Sequence, residues 1–471
     1  MIRLIVEKEI REIIGTRKFA VTFAVSSLLI LFGFFVGAKD YQVSVARYEA
    51  AKTEDLRQMD GVTDWLAVRN HRVFLPPQPL AALVSGVSND IGSTTLIQGR
   101  GELSATDSRY GESPVFAIFR FLDLDFVFQI VLSLFAILFA YDAINGEKER
   151  GTLRLSLSNA VPRGTYILGK LTGSYVALAV PLLVPILLGC ALLPLMGIHL
   201  NPDEWTRLAL IVGGGLIYLG VFVVLSIFVS ALSQRSSTSF LMLLVLWVFI
   251  VLISPRVSVL IAGRSVEVPT VDEIGYKTSR LNAQLWSEDR KKLSGFKPTS
   301  TSSMDGMLAE FNKFMQDQAD ERDKKMRDLT SQLDQDRANR EQEQERLAFG
   351  LARLSPAASF SLAAAALAGT SLDLKDRYHE AAMNYQQAYA KFMFSKTGMN
   401  VGGRMIMFRN RNDGGEPPKP IDPQELPPFE FPPVQLSTAI GNALVDLGAL
   451  LLFGLLLFAG AFAAFLRYDV R

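Results

Sequence analysis

Six apolar runs, each set off by polar sequence, constrain this chain of 471 residues more than any other feature. They cover 19–38, 121–141, 166–193, 208–232, 239–263 and 437–466. A helix crossing the hydrocarbon core of a bilayer needs roughly 20 predominantly apolar residues. The second run is short unless 121–125 belongs to it, and Pro181 and Pro185 should kink the third, which neighbouring helices accommodate. Hydrophobic residues make up 49% of the chain and are segregated into these runs. The reading is an all-α polytopic membrane protein with six transmembrane helices and two extracytoplasmic insertions, the second containing a long helical hairpin.

Lys and Arg beside the short loops set the orientation. Arg3, Lys8, Arg11, Arg17 and Lys18 precede the first span, and Lys148, Arg150, Arg154, Arg163 and Lys170 follow the second. Arg235 follows the fourth, Arg467 and Arg471 follow the sixth, and the 194–207 connection carries only Arg207. All basic loops share one side if both termini are cytoplasmic, with a tail over 467–471. Regions 39–120 and 264–436 then lie outside. Val36-Gly37-Ala38 has the look of a signal-peptidase site, but the run before it is longer than a signal h-region, so the first span is read as uncleaved. Residues 1–18 place Ile2, Ile5, Val6, Glu9/Ile10, Ile13 and Ile14 near helical spacing. That fits an amphipathic helix lying in the inner interface or a plain cytoplasmic start to the first span.

Between the second and third spans, residues 142–165 carry helix grammar of their own. Glu147-Lys148-Glu149-Arg150 is a charged turn, Gly151 interrupts it, and the Thr152 hydroxyl stands where it can cap a new helix. Leu153, Leu155 and Leu157 alternate with Arg154, Ser156 and Ser158 until Asn159 and Pro162 stop the element. The stretch resembles the permease subunits of the ABC-2 class of ATP-driven transporters. Asp142, Ile144, Glu147, Gly151, Thr152, Leu153, Leu157, Ser158, Arg163, Gly169 and Lys170 fill the positions of that family's D-a-I-x-x-E-x-x-x-G-T-L-x-x-x-L-S-x-x-x-x-R-x-x-x-x-x-G-K loop. A second likeness, PPQPLAALVSGVSNDIG over 76–92, is similar to a segment of the multi-copper-enzyme-maturation branch, whose permease is associated with nitrous oxide reductase.

The resemblance implies a permease subunit in the plasma membrane, the inner membrane of a bacterium, whose loop holds the coupling helix for a nucleotide-binding partner. It implies Glu147, Gly151, Thr152, Leu153, Arg154, Leu157 and Arg163 as the ATPase-coupling residues. Leu153 and Leu157 would occupy an apolar groove on the partner, and Glu147 and Arg154 would form the polar rim. The chain has no G-x-x-x-x-G-K-[ST] loop, so ATP and Mg would be bound by a separate ABC ATPase, with no cofactor or metal in this chain. A second permease copy or a paralogue, the lipid bilayer and an extracytoplasmic protein are the other expected partners. Net charge is +1 with dispersed basic residues, so nothing points to nucleic acid.

The outer regions read as partly helical. Residues 303–351 lack Pro and place Met307, Leu308, Phe311, Met315, Met326, Leu329 and Leu333 near helical spacings. Residues 373–394 carry a stripe of Tyr378, Ala382, Tyr385, Tyr389 and Phe392, and the two helices are expected to pair as the hairpin. Between them, 356–369 is apolar but too short to span, an interfacial or packed helix. Asp446 falls either inside the sixth span, where an ionisable group is a functional candidate, or at its outer boundary. Asp123 and Asp125 sit at the outer edge of the second.

Met393, Met399, Met405 and Met407 cluster outside the spans, and thioethers bind Cu(I). Met is also a common gap-filler, and the cluster contains no His or Cys. His71, His199 and His379 show no ligand spacing, and the lone Cys190 cannot form an intrachain disulfide. No HExxH, GxSxG or paired intramembrane carboxylate supports a hydrolase. A membrane scaffold or mechanotransmission protein acting on an extracytoplasmic partner is the competing class, and it has no need of a docking loop on the cytoplasmic side.

The topology is checked by single-cysteine labelling on a Cys190→Ser background. An impermeant reagent in intact cells should label residue 300 and spare residue 155; the reverse pattern overturns the orientation.

Overall fold

The computed structural model describes residues 2–68, 71–88, 91–97, 103, 105–106, 123–153, 162–296, 304–397 and 420–467. The chain divides into two compact units, Met1–Arg256 with Ala352–Arg471, and Val257–Leu351. In chain order the helices are α1 (Ile2–Ile14), α2 (Arg17–Arg57), α3 (Leu124–Phe126), α4 (Ser133–Ala140), α5 (Asn145–Glu149), α6 (Arg163–Leu195) and α7 (Pro202–Leu232). There follow α8 (Ser236–Trp247), α9 (Ser254–Ser265), α10 (Val271–Ser294), α11 (Met304–Ala352), α12 (Pro356–Ala368), α13 (Asp373–Thr397) and α14 (Leu436–Leu466). An antiparallel sheet in the order β1 (His71–Phe74), β2 (Thr94–Ile97), β3 (Ala105–Thr106) pairs His71 with Ile97 and Thr94 with Thr106.

Among the described residues, seven helical stretches are long and apolar enough to cross a membrane, one more than the sequence reading gave. The addition, Pro356–Thr397, is two helices broken at Gly369, which adopts φ +74° at the end of α12. α12 alone has 13 residues, roughly 20 Å at 1.5 Å per residue, too short to span. It is instead packed inside the first unit, and all of it but Ala366 is buried. The helix of the first span also extends beyond the apolar run: α2 has 41 residues and continues well past Ala38 as a polar segment.

α7 forms the centre of the first unit, with α4, α6, α12 and α14 packed on it. The Tyr218 ring of α7 stacks on Phe360 of α12 at 5.2 Å, and Phe128 meets the same ring at 5.5 Å. Phe128 lies in a π-helical segment, Val127–Leu132, joining α3 to α4. Such a segment breaks the regular hydrogen-bond ladder. Here Tyr218 donates to the Gln129 carbonyl at 3.1 Å and Trp247 Nε1 donates to Ser133 Oγ at 2.8 Å. α12 is held by polar contacts as well as by packing. Ser355 Oγ donates to Ile250 O at 2.6 Å, Ser361 Oγ donates to Asp125 at 2.7 Å, and Thr370 Oγ1 donates to Val84 O at 3.0 Å. Asp446 is buried within this packing and paired with Arg353 at 2.6 Å.

The 76–92 motif packs against α2 over residues 76–88. Its short 3-10 turn, Pro79–Ala82, crosses α2 at Gly37 so closely that a Cβ there would lie 1.6 Å from the Ala82 carbonyl oxygen. Beyond it, the stripe on α13 packs as the sequence spaced it: Trp65, Val73, Ile97, Ala382, Tyr385, Tyr389 and Met393 form one cluster. His71 joins it, within 2.8 Å of Asp55 and 2.7 Å of the Tyr385 hydroxyl. Met393 is thus a buried packing residue, while Met399, Met405 and Met407 lie outside the described residues. Among the described residues, no group of three or more His, Cys, Asp and Glu is placed to hold a metal.

In the second unit the expected hairpin has a different partner. α11 runs antiparallel to α10, with Arg322 2.7 Å from Asp289, Lys292 3.1 Å from Glu321 and the Arg322 guanidinium over Trp286. α13 packs on the sheet of the first unit instead. The signal for α10 was legible, since Thr270 caps it by accepting the Glu273 N–H at 3.1 Å and Ile274 and Leu285 are its buried residues.

Gly37→Ala should lower the thermal stability of the purified protein by about 1–3 kcal/mol through overpacking. Gly33→Ala, where nothing lies within 4 Å, should leave it unchanged. Equal melting temperatures for both variants contradict the close crossing.

Candidate functional site

The loop after α4 is drawn inward by a buried carboxylate. Glu147 lies on α5 and is 4% exposed. Its Oε1 accepts from Lys8 Nζ at 3.0 Å and lies 2.8 Å from Lys170 Nζ, while Oε2 accepts from the Tyr166 hydroxyl at 2.6 Å. Lys170 also donates to Glu9 Oε2 at 2.6 Å, and Ser174 Oγ donates to Glu9 Oε1 at 3.2 Å. Two carboxylates thus face two ammonium groups across α1, α5 and α6. Burial pushes the Glu9 carboxyl above its ordinary range, and Lys170 opposes the shift.

The cluster closes because α6 offers α1 a flat face. A Cβ at Gly169 would lie 2.7 Å from Ile5 Cγ2, and one at Gly173 would lie 2.6 Å from Glu9 Cβ. Small residues four apart allow such close approach between helices in a membrane. α1 therefore packs on α6, burying Glu9 and Ile13.

The other face of α5 is fastened to the junction of α7 and α8. Ser230 Oγ accepts from the Ile144 and Asn145 N–H groups at 3.1 Å each. Lys148 Nζ donates to Ala231 O at 2.6 Å and Ser233 O at 3.2 Å. Glu149 accepts from the Ser236 N–H at 2.8 Å and from its hydroxyl at 3.0 Å. α5 is a short crossbar, held by α1 and α6 on one side and by α7 and α8 on the other.

This geometry changes the roles read from sequence. Glu147 is not on a polar rim; it is the buried centre of the ion cluster. Leu153 is 1% exposed within the protein's own core and presents no face to a partner. Gly151 adopts φ +73°, a conformation glycine takes without strain. Thr152 Oγ1 donates back to Glu147 O at 3.4 Å. Arg163 donates to Leu466 O at 2.5 Å, placing a cation at the C-terminal end of α14, where the helix dipole favours it. Arg154 and Leu157 lie outside the described residues. Among the described residues of the loop, Glu149, Arg150, Gly151 and Thr152 form an exposed run. Sequence reasoning missed Glu9 and Tyr166 as members of the cluster. The available signal was a carboxylate on the apolar stripe of α1.

A profile for the ABC-2 family transporter protein matches residues 3–470. The chain belongs to the ABC-2 transporter family. It is also similar to two proteins described as probable ABC transporter permease protein NosY. With that of Pseudomonas aeruginosa it is 34% identical over 128 residues, 26% of this chain and 45% of the relative. With that of Stutzerimonas stutzeri it is 34% identical over 127 residues, 26% and 44% respectively. The match spans a little under half the length of these curated relatives. Its family and its apolar helices together make the chain a multi-pass membrane protein.

Lys170→Met should destabilise the fold by about 3–5 kcal/mol, because it leaves two buried carboxylates without their shared cation. Tyr166→Phe, which removes one hydrogen bond to a charged group, should cost about 1.5–3 kcal/mol. Thermal denaturation of the purified protein measures both, and a Lys170→Met variant as stable as wild type contradicts the cluster.

Proposed function

We propose that this chain is the permease subunit of an ATP-binding-cassette transporter, moving an unidentified substrate across the plasma membrane. A separate ABC ATPase binds ATP and Mg and docks on the cytoplasmic loop. The supporting observation is the crossbar: the family's loop motif forms a short helix fixed on both sides by buried polar contacts, Tyr166 to Glu147 on one and Ser230 to the Ile144 and Asn145 N–H groups on the other. A push on such an element is not absorbed locally.

The exposed residues Glu149 to Thr152, continuing through Arg154 and Leu157, make the docking surface. Glu147 and Leu153 act behind it by holding the loop to the bundle, and Arg163 ties the start of α6 to the end of α14. ATP-driven closure of the ATPase then moves α1 and α6 through Lys170, and α7 and α8 through Ser236. Two copies, or this chain with a paralogue, pair with two ATPase subunits, and both termini are cytoplasmic.

A second reading is that the same motion acts mechanically on an extracytoplasmic protein. The separate, highly charged α10–α11 unit favours it, since a solute pathway has no use for such a hairpin.

Arg150→Glu and Leu157→Asp should abolish co-purification of the ATPase while membrane insertion and melting temperature stay at wild-type values. Gly151→Pro should also abolish association, here with a lowered melting temperature, because proline cannot adopt a positive φ and removes the Gly151 N–H bond to Lys148 O. Wild-type ATPase association and ATP hydrolysis in all three remove the coupling role and favour a scaffold.

A further inference from the structure

A cavity of about 310 Å³ opens beside α2 just beyond its apolar run, walled by α2 and by the chain from Phe74 to Thr94. Tyr41, Ser44, Arg47 and Tyr48 all line it from α2. Their spacings of three, six and seven residues put them on one side of the helix. The facing wall is mostly apolar: Leu75, Pro76, Pro77, Ala81 and Ile91. Among the described residues, neither tyrosine hydroxyl, nor Ser44 Oγ, nor the Arg47 guanidinium has a hydrogen-bond or ion-pair partner. Four donors therefore converge on a mixed apolar and polar wall with no acceptor from the described residues.

The level of this cavity narrows its ligand. Exposed apolar side chains on α2 run from Val21 through Val25, Leu28 and Phe32 to Val36, and exposed Lys39 and Asp40 follow. Tyr41 thus sits about one turn beyond the hydrocarbon edge, at headgroup depth. The long Arg47 side chain can reach back toward the same layer.

We propose that this cavity binds the phosphodiester headgroup of a phospholipid. Arg47 and the hydroxyls of Tyr41, Ser44 and Tyr48 donate to the phosphate oxygens, a pairing that suits a guanidinium. Asp40, at the membrane end of the cavity, disfavours a second negative charge and so selects a diester over a phosphomonoester. The site is independent of the transporter reading, because no ATPase takes part in it.

Native mass spectrometry of the full chain, reconstituted with phosphatidylglycerol and released in detergent, tests the site. Wild type should retain one lipid per chain. Arg47→Ala should lower retention about tenfold or more by removing a charge-assisted contact. Tyr48→Phe should lower it several-fold, and Arg47→Lys should restore part of it. Arg280→Ala, an exposed arginine elsewhere, should behave as wild type. Arg47 is exposed, so equal melting temperatures confirm that the variants fold. Unchanged retention in Arg47→Ala and Tyr48→Phe overturns the site. Displacement of the lipid by soluble glycerophosphoglycerol at equal concentration overturns the lipid as its source.

Discussion

A single ammonium group between two buried carboxylates holds α1, α5 and α6 together. Lys170 lies 2.6 Å from Glu9 and 2.8 Å from Glu147, and those carboxylates belong to α1 and α5. Taking such charges out of water is costly, and a buried ion pair is often no more stabilising than well-packed apolar residues. Its value is in register: once Lys170, Lys8, Tyr166 and Ser174 satisfy both carboxylates, any relative sliding of α1, α5 and α6 leaves a buried charge unpaired. The approach that permits this depends in turn on Gly169 and Gly173, where α1 sits too close for any Cβ.

The same logic runs through the bundle. Lipid tails are as apolar as leucine, so small residues and hydrogen bonds decide how helices associate in a membrane. α12 is the clearest case. It is apolar nearly throughout, yet its position is set by Ser355, Ser361 and Thr370, with the Arg353–Asp446 pair beside it. The π-helical break before α4 is accommodated in the same way, by donors from Tyr218 and Trp247. Shared polar contacts thus tie the helices into groups, and the α5 crossbar joins two of those groups.

The membrane-crossing character was legible because apolar runs of that length match the hydrocarbon core and are seldom needed by a water-soluble fold. The family was legible because the 142–170 loop combines residue types with spacing. The stripe on α13 was readable for a similar reason: Tyr378, Tyr385 and Tyr389 recur at helical period and are all buried. What was not legible was tertiary. Nothing local tells α11 that its partner is α10 and not α13, since all three are amphipathic and charged. Short strands of four residues or fewer offer too little alternation to stand out from loop sequence. Glu147 and Leu153 were assigned to an outward face because the loop was read as a solvated element; the buried cluster depends on Glu9, which lies on a helix far earlier in the chain.

The central claim is that α1 and the crossbar move as one body. It is tested by distance measurement between spin labels at residue 7, which is exposed, and residue 142, which is half-buried in the turn leading into α5 and outside the proposed docking surface, in the complex with the proposed ABC ATPase, with and without ATP. A third label at residue 451 on α14 serves as reference. The account predicts an unchanged distance between 7 and 142 while the distances from each to 451 shift together. A shift or broadening confined to the 7–142 pair would show that the ion cluster opens during the cycle, and would contradict it.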